Sequence, residues 1–203
     1  MATPTAKPEE ALRVLAEKVA AEGDPLASVV VTSDLPDPVL GLLAASGPLT
    51  SAEPGAYSFV VEAVREGYAC HFGTPRVLEA ADSDLLLLAG DLFYAYGIST
   101  LAGLGDDRAV GLLSDLIRIS GELHAAGRGT DTGELWLAQV LAVGFGSDER
   151  LVEATVRLRA GSPGAPAELA AWSARVSGRS EAGRRIGEVR EVLHFGSAGL
   201  DFP

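Results

Sequence analysis

The run from Asp82 to Gly127 constrains this chain more than any other feature. It reads DSDLLLLAGDLFYAYGISTLAGLGDDRAVGLLSDLIRISGELHAAG. Two long helical patterns flank one tight break, Gly103-Leu104-Gly105-Asp106. From Leu85 to Leu104 the first is almost wholly apolar, with Asp91 as its one charge. A helix apolar on every side belongs in the middle of a large core or in a membrane. The second is amphipathic. Val110, Leu113, Leu116, Ile117, Ser120 and Leu123 share one face, and Arg108, Asp115, Arg118 and Glu122 lie off it. The pattern predicts a buried central helix followed by a helix that covers it.

Length alone would let the first pattern cross a bilayer, since about twenty apolar residues suffice. Asp91 would then sit well inside the span, at a cost of roughly 2.5–3.5 kcal/mol. No Lys or Arg lies between Arg76 and Arg108, so the near flanks lack cationic anchors. The expectation is a core helix and no transmembrane span. Gly90 and Gly97 fall seven residues apart on nearly one face, beside Ala89, and residues this small let another helix approach closely. Asp91, within an apolar helix, must be paired, hydrogen-bonded or protonated, which favours a structural hydrogen-bonding role over catalysis.

The remaining segments also predict helices. Pro8 opens one with Leu12, Leu15 and Val19 as its stripe, stopped by Gly23. Val29-Val30-Val31 has the β-branched residues of a strand but no visible partner, so it is assigned to a helix. Asp37-Pro38 opens a brief helix through Leu43, closed by Gly47-Pro48. Pro54 opens a clearer one, with Tyr57, Val60, Val61, Val64, Tyr68 and His71 on its apolar face. Ser58, Glu62, Arg65 and Glu66 lie opposite, and Gly73-Thr74-Pro75 ends it. Beyond Gly127, Asp131 and Glu134 have capping-box spacing ahead of an amphipathic helix with Trp136, Leu137, Val140, Leu141 and Phe145. Ser147 caps the next helix, from Asp148 to Ala160. The Gly161–Pro166 stretch resembles a linker. Leu169, Trp172 and Val176 mark one further helix, and Ile186, Val189 and Leu193 another. The tail from Gly196 to Pro203 reads as disordered, with Leu200 and Phe202 as candidates to dock. The predicted organisation is an all-α helical bundle core over residues 1–160, centred on the helix pair 82–127, with C-terminal helices over 167–195 packed on it.

The 203 residues carry a net charge of −12, which makes nucleic-acid binding through phosphates a poor expectation. The charge is uneven. Residues 1–115 hold 6 Lys+Arg against 17 Asp+Glu, and residues 116–203 hold 10 against 11. Either the first half has a solvated acidic surface or it meets a basic partner surface. Cys70 is the only cysteine, so no internal disulfide forms and a reducing compartment fits. The residues after Met1 lack the basic and apolar runs of a signal peptide, so the cytoplasm is expected.

No constellation of catalytic or ligating residues is evident. His71, His124 and His194 are isolated, and a lone cysteine cannot build a thiolate zinc site. Cys70 and His71 point about 100° apart on a helix and do not pair. His71 ends an apolar face as a core residue, while a partly cationic His124 suits a helix C-terminus. Gly127-Arg128-Gly129 and Arg184-Arg185 are too short to specify phosphate binding and read as solvated surface.

The order of short motifs in the central stretch is nevertheless distinctive. Leu88-Ala89-Gly90-Asp91, Leu101-Ala102, Leu104-Gly105-Asp106 and Gly121-Glu122-Leu123 resemble one stretch of the trans-polyprenyl diphosphate synthases, with Glu66-Gly67-Tyr68 and Pro75-Arg76-Val77-Leu78 as a weaker extension upstream. The match covers about a quarter of the chain. It implies a helical bundle resembling part of the isoprenoid synthase fold. It also makes Gly90, Asp91, Gly97, Gly105, Asp106, Gly121 and Glu122 family-motif and helix-packing residues. Catalytic members carry two DDxxD motifs that hold Mg²⁺ against the substrate diphosphate, because Mg²⁺ wants hard carboxylate oxygens. This chain has no DDxxD. Its closest acidic pairs, Asp82-Ser83-Asp84 and Asp106-Asp107, sit where helices begin and read as caps. The resemblance is therefore greatest to the small, non-catalytic subunit of a two-component heptaprenyl diphosphate synthase. That implies a catalytic prenyl synthase partner, contact with a hydrophobic prenyl chain, no cofactor of its own, and Mg²⁺ only in the partner. The alternative is a stand-alone helical protein that binds a hydrophobic ligand or another partner.

Overall fold

The helix that occupies the centre is the one opened by Pro54. In the computed structural model, which describes residues 7–79, 81–178 and 181–193, this helix is buried at every position from Gly55 to Cys70. It is the third of nine α-helices among the described residues. They are α1 (Ala11–Ala20), α2 (Val39–Ala45), α3 (Pro54–Phe72), α4 (Ser83–Leu104), α5 (Asp107–Ala125), α6 (Thr132–Phe145), α7 (Glu149–Arg159), α8 (Ala165–Ser177) and α9 (Glu181–Leu193). The expected all-α class is what the structure has. The expected tail from Gly196 to Pro203, with Leu200 and Phe202, and His194 lie outside the described residues.

Two apolar clusters meet at α3. Tyr57, Val60, Val61, Val64 and Tyr68 face the larger one, shared with α2, α5, α6, α8 and α9. Phe59, Ala63 and Cys70 face the smaller, shared with α1, Val77, Leu78 and the inner side of α4. α6 is the second buried helix, closed to solvent from Leu135 to Gly144. Both α3 and α6 were expected to be amphipathic. Their polar residues are instead enclosed, because helices pack on all their sides.

Glu62 and Glu66 are fully buried, and Arg76, from the loop after α3, runs between them. Arg76 donates from Nη2 to Glu62 and from Nε to Glu66, both at 2.5 Å. Its backbone N–H and that of Val77 donate to the other Glu66 oxygen, at 2.7 and 3.1 Å. Glu62 also accepts from the Gly41 N–H of α2 at 2.7 Å. Burial pushes the Glu62 pKa up, but Arg76, Arg65 and the Gly41 N–H together hold it below the usual carboxylate value. Burial lowers Arg65, at the edge of this cluster, to about 10.

The loop held by Arg76 also corrects the assignment of Val29-Val30-Val31. A short 3-10 turn, Ala27–Val29, leads into an antiparallel bridge between Val30 and Leu78. Val31 donates to the Val77 carbonyl at 3.0 Å, and Glu79 to the Val29 carbonyl at 2.9 Å. The missing strand partner is Val77-Leu78, fixed in place by Glu66.

Helix starts follow the acidic caps. Asp82, Asp106 and Asp148 accept from the N–H of Leu85, Ala109 and Leu151 at 2.8, 2.9 and 3.1 Å. At α7 the cap is Asp148 rather than Ser147. The Asp131–Glu134 box does not form, because Asp131 accepts from Arg128 at 3.0 Å and Glu134 pairs with Arg190 at 3.3 Å. Arg128, expected as solvated surface, also donates to the Leu158 carbonyl at 2.8 Å and so ties α6's approach to the end of α7.

Replacing Arg76 with methionine should strand two buried carboxylates and cost about 3–5 kcal/mol in urea denaturation. Arg157→Met, which removes a half-exposed cation paired with Glu168, should cost about 0–1 kcal/mol. Equal losses for the two would show that Glu62 and Glu66 do not depend on Arg76.

Candidate functional site

α4 has two unlike sides. Ala89, Gly90, Phe93, Tyr96, Gly97, Thr100 and Leu101 are buried, and this side lies along α3. Three glycines close the crossing. A Cβ on Gly67 of α3 would meet the Tyr94 ring at 2.6 Å and the Gly90 carbonyl oxygen at 3.0 Å. One on Gly90 would meet the His71 ring at 2.7 Å, and one on Gly97 would meet Val64 at 2.8 Å. Gly90 and Gly97 are therefore positions where α3 requires the smallest side chain. α1 holds the same side: Tyr96 donates its O–H to Glu22, and the Lys18 ammonium lies 4.3 Å above the Tyr96 ring.

The other side of α4 faces solvent, and this corrects the expectation of a helix buried all round. Asp84, Leu87, Leu88, Asp91, Ala95, Ser99 and Ala102 are exposed and recur at helical spacing along one stripe. Leu88 is 60 % exposed and Leu87 50 %. Asp91 lies on this stripe with its side chain 78 % exposed, so it faces water rather than needing a buried partner, and its carboxylate is 3.3 Å from His71 Nε2. α5 does not cover the stripe because it turns to pack on α6. The helix is long and apolar enough to cross a membrane by composition alone.

The break between α4 and α5 is built by Gly105 and Asp106. Gly105 takes φ +72°, a left-handed conformation that glycine adopts without a Cβ clash, and donates to the Ala102 carbonyl at 3.2 Å. Asp106 then caps α5 and also accepts from Tyr57 Oη at 2.7 Å and Arg108 at 3.1 Å. Partial burial opposes ionisation of Asp106, but the Ala109 N–H, Tyr57 and Arg108 outweigh it and lower its pKa. Burial and the adjacent carboxylate push the Tyr57 phenol up to about 12. Arg108 also donates to the carbonyls of Ala142 and Val143 at the end of α6, at 2.8 Å each. The Leu-Gly-Asp turn thus fixes α3, α5 and α6 together.

Gly121 and Glu122 do not join this site. A Cβ on Gly121 would meet nothing within 4 Å. Glu122 is exposed and accepts two bonds from Arg159, at 2.8 and 3.0 Å, and one from Arg118 at 2.8 Å. These bonds lower its pKa, with Arg159 first.

The surroundings of His124 disfavour the cationic form expected at the helix C-terminus. Its ring stacks on Phe72 at 4.1 Å and 5°, and burial lowers its pKa. Its Nε2 lies 2.8 Å from the Tyr68 hydroxyl, within hydrogen-bond distance. Thr132 Oγ1 lies 3.1 Å from the same hydroxyl and donates to the Gly129 carbonyl at 2.7 Å. Burial pushes the Cys70 thiol up to about 12, which makes it a packing residue rather than a nucleophile.

Two cavities are formed by the described residues. One of about 10 Å³ lies among Arg65, Tyr68, Thr132, Gly133, Trp136 and Leu193 and has room for a single water. A cleft of about 340 Å³ between α7 and α8 is lined by Arg150, Glu153, Arg157, Glu168 and Arg175, with Ala171 and Trp172. Its charges are of both signs and mostly paired with one another or with Asp148. Among the described residues, no group of three or more His, Cys, Asp or Glu side chains is arranged to hold a metal ion.

No family model matches this chain, and no curated protein or solved structure matches it either. The candidate site is therefore defined by its own geometry: the solvent stripe of α4, held from behind by α3. The stripe had a signal in the sequence. Asp84, Asp91 and Ser99 are spaced seven and eight residues apart, which places the polar residues of an apolar run on one face.

Gly97→Leu should overpack the α3–α4 crossing and lower stability by about 1–3 kcal/mol or more. An unchanged melting temperature would put Gly97 on an open surface. His124 gives a pH test. The unfolded chain protonates this residue near 6.5, whereas the folded chain resists until lower pH. Its contribution to stability is therefore complete above that value, lost as pH falls through the window beneath it, and constant below the folded pKa. The stability gap between wild type and His124→Gln should narrow from pH 8 to pH 5 in urea titrations; a constant gap would show that the ring titrates normally.

Proposed function

We propose that this chain is a non-catalytic accessory subunit of a heteromeric trans-prenyl diphosphate synthase, acting in isoprenoid chain elongation in the cytoplasm. The observation that carries this reading is the solvent face of α4. It is an apolar stripe on the helix that bears the apolar-Gly-Asp motif, held rigidly from behind and left uncovered in front. A second chain seated there would bury Leu87 and Leu88. In this reading the catalytic partner supplies the aspartate clusters and their Mg²⁺, and α4 walls part of the partner's elongation cavity, where it contacts the growing prenyl chain. The motif order through the Leu-Gly-Asp turn supports the same family. The alternative, a free-standing protein holding a hydrophobic ligand, draws no support from a one-water cavity or a charge-lined cleft.

Co-expression with a DDxxD-bearing synthase from the same cell should raise solubility and give a heteromer by light scattering. The interface should exceed roughly 2,000 Å² of total buried surface, as obligate interfaces do. Purified alone with Mg²⁺ and allylic plus isopentenyl diphosphates, the chain should form no prenyl product, because it has no DDxxD. Product from this chain alone, or a monodisperse monomer that ignores the synthase at micromolar concentrations, would overturn the reading.

A further inference from the structure

The solvent stripe of α4 carries apolar side chains along its length, with carboxylates set between them. Leu87, Leu88, Ala95, Ala102 and Leu104 give the apolar part, with Leu104 37 % exposed at the C-terminal end. Asp84 and Asp91 lie on the stripe, and Glu79, Asp82 and Asp107 are exposed at its two ends. Among the described residues, no Lys or Arg is paired with these carboxylates. The chain has no Lys or Arg between Arg76 and Arg108, and both of those are engaged elsewhere. Arg76 is held by Glu62 and Glu66, and Arg108 by Asp106 and the carbonyls of Ala142 and Val143. Lys18 is held over the ring of Tyr96, which is buried on the α3 side. His71, beside Asp91, stacks on Tyr94 at 5.4 Å.

From this pattern we infer that the α4 stripe is a docking face for one amphipathic helix of another protein, with large apolar side chains along its seam and Lys or Arg on its rim. The inference rests on the subunit reading and adds the chemistry of the partner. The small residues Ala95, Ser99 and Ala102 leave room for large side chains on the incoming helix, while Leu87 and Leu88 fill gaps between them. Basic residues flanking that seam reach in to Asp84 and Asp91, which lie between the leucines. The charges act mainly on encounter and on the choice of partner, and the apolar seam holds the complex. A second copy of this chain is the wrong partner. It would bring the same carboxylates and no cation, so self-pairing through α4 sets like charges against each other. An anionic lipid surface is disfavoured by the same carboxylates.

The test uses the full chain and two synthetic helical peptides. Both have a leucine seam; one carries lysines on its rim and the other glutamates. The lysine peptide should bind at least about tenfold more tightly in fluorescence anisotropy, with affinity falling as salt rises. Asp84→Lys combined with Asp91→Lys should reverse the preference, and Leu88→Asp should remove binding of both peptides. All these residues face water, so circular dichroism should be unchanged. Equal binding of the two peptides would overturn the inference. So would a dimer of the chain alone that Leu88→Asp dissolves, or burial of Leu88 on phosphatidylcholine vesicles. The two readings fail separately. If the lysine peptide binds but no DDxxD-bearing synthase does, the docking face stands and the subunit reading falls. If the synthase binds wild type and the double-lysine variant equally, the subunit reading stands and the docking face falls.

Discussion

Arg76 lies between two fully buried carboxylates, and most of the fold is placed by that contact. Glu62 and Glu66 sit on the helix that every early element packs against, so neither can reach water. Arg76 neutralises both, and Glu66 also takes the N–H groups of Arg76 and Val77. The loop after α3 is thereby fixed, which sets the Val30–Leu78 bridge and the point where α4 begins. Glu62 accepts from Gly41 and places α2 through the same cluster. Against a well-packed apolar substitute, a buried ion pair of this kind gives little net stability. Its effect is asymmetric, because losing one member leaves an uncompensated buried charge. The cluster therefore specifies where four segments meet more than it deepens the native well.

That contact also explains which parts of the fold could be read from the sequence. Helix starts and stops were legible because their causes are local: Asp82, Asp106, Pro54, Gly73 and Gly105 each act within a few residues of the boundary. The apolar face of α5 was largely legible for the same reason: Leu113, Leu116, Ser120 and Leu123 are buried, Val110 and Ile117 are half-buried, and Ile119 is buried as well. The ranking of helices by burial was not. α4 is the longest apolar helix in the chain, yet it has an open side. α3 carries Glu62, Arg65 and Glu66 and is closed on all sides. Apolar content measures what a segment tolerates, whereas burial depends on what else arrives. The residue that makes α3 buriable, Arg76, lies in a different element. Val29-Val30-Val31 failed similarly, because its partner is two residues long and carries no period of its own.

The motif residues divide by the same logic. Gly90 and Gly97 stand where α3 leaves no space for a Cβ, and Gly105 and Asp106 form a turn whose side-chain bonds reach α3 and α5. These four are explained by contacts inside the chain. Asp91 and Gly121 are not: one faces water on the α4 stripe and one has open space around its backbone, while Glu122 is held by the surface arginines Arg118 and Arg159. A position whose residue type is not required by the monomer is where a second chain can impose its own requirement. On α4 such positions are contiguous. On α5, Glu122 is already occupied by Arg118 and Arg159.

A free chain with leucines exposed on its longest apolar helix faces a colloidal problem, and its charge distribution addresses it. Residues 1–115 carry a balance of −11, from 6 Lys+Arg against 17 Asp+Glu. Carboxylates at both ends of the α4 stripe and within it repel a second copy before the leucines meet, as gatekeeper charges do beside other unavoidable apolar segments. That no Lys or Arg among the described residues pairs with the stripe's carboxylates matters as much as the carboxylates themselves. A mixed rim would let two copies pair in some register, with each acid finding a base. A rim of one sign admits no such register. The charge arrangement that repels a second copy is the same one that a helix of opposite charge, in the docking proposed above, would neutralise as it covers Leu87 and Leu88.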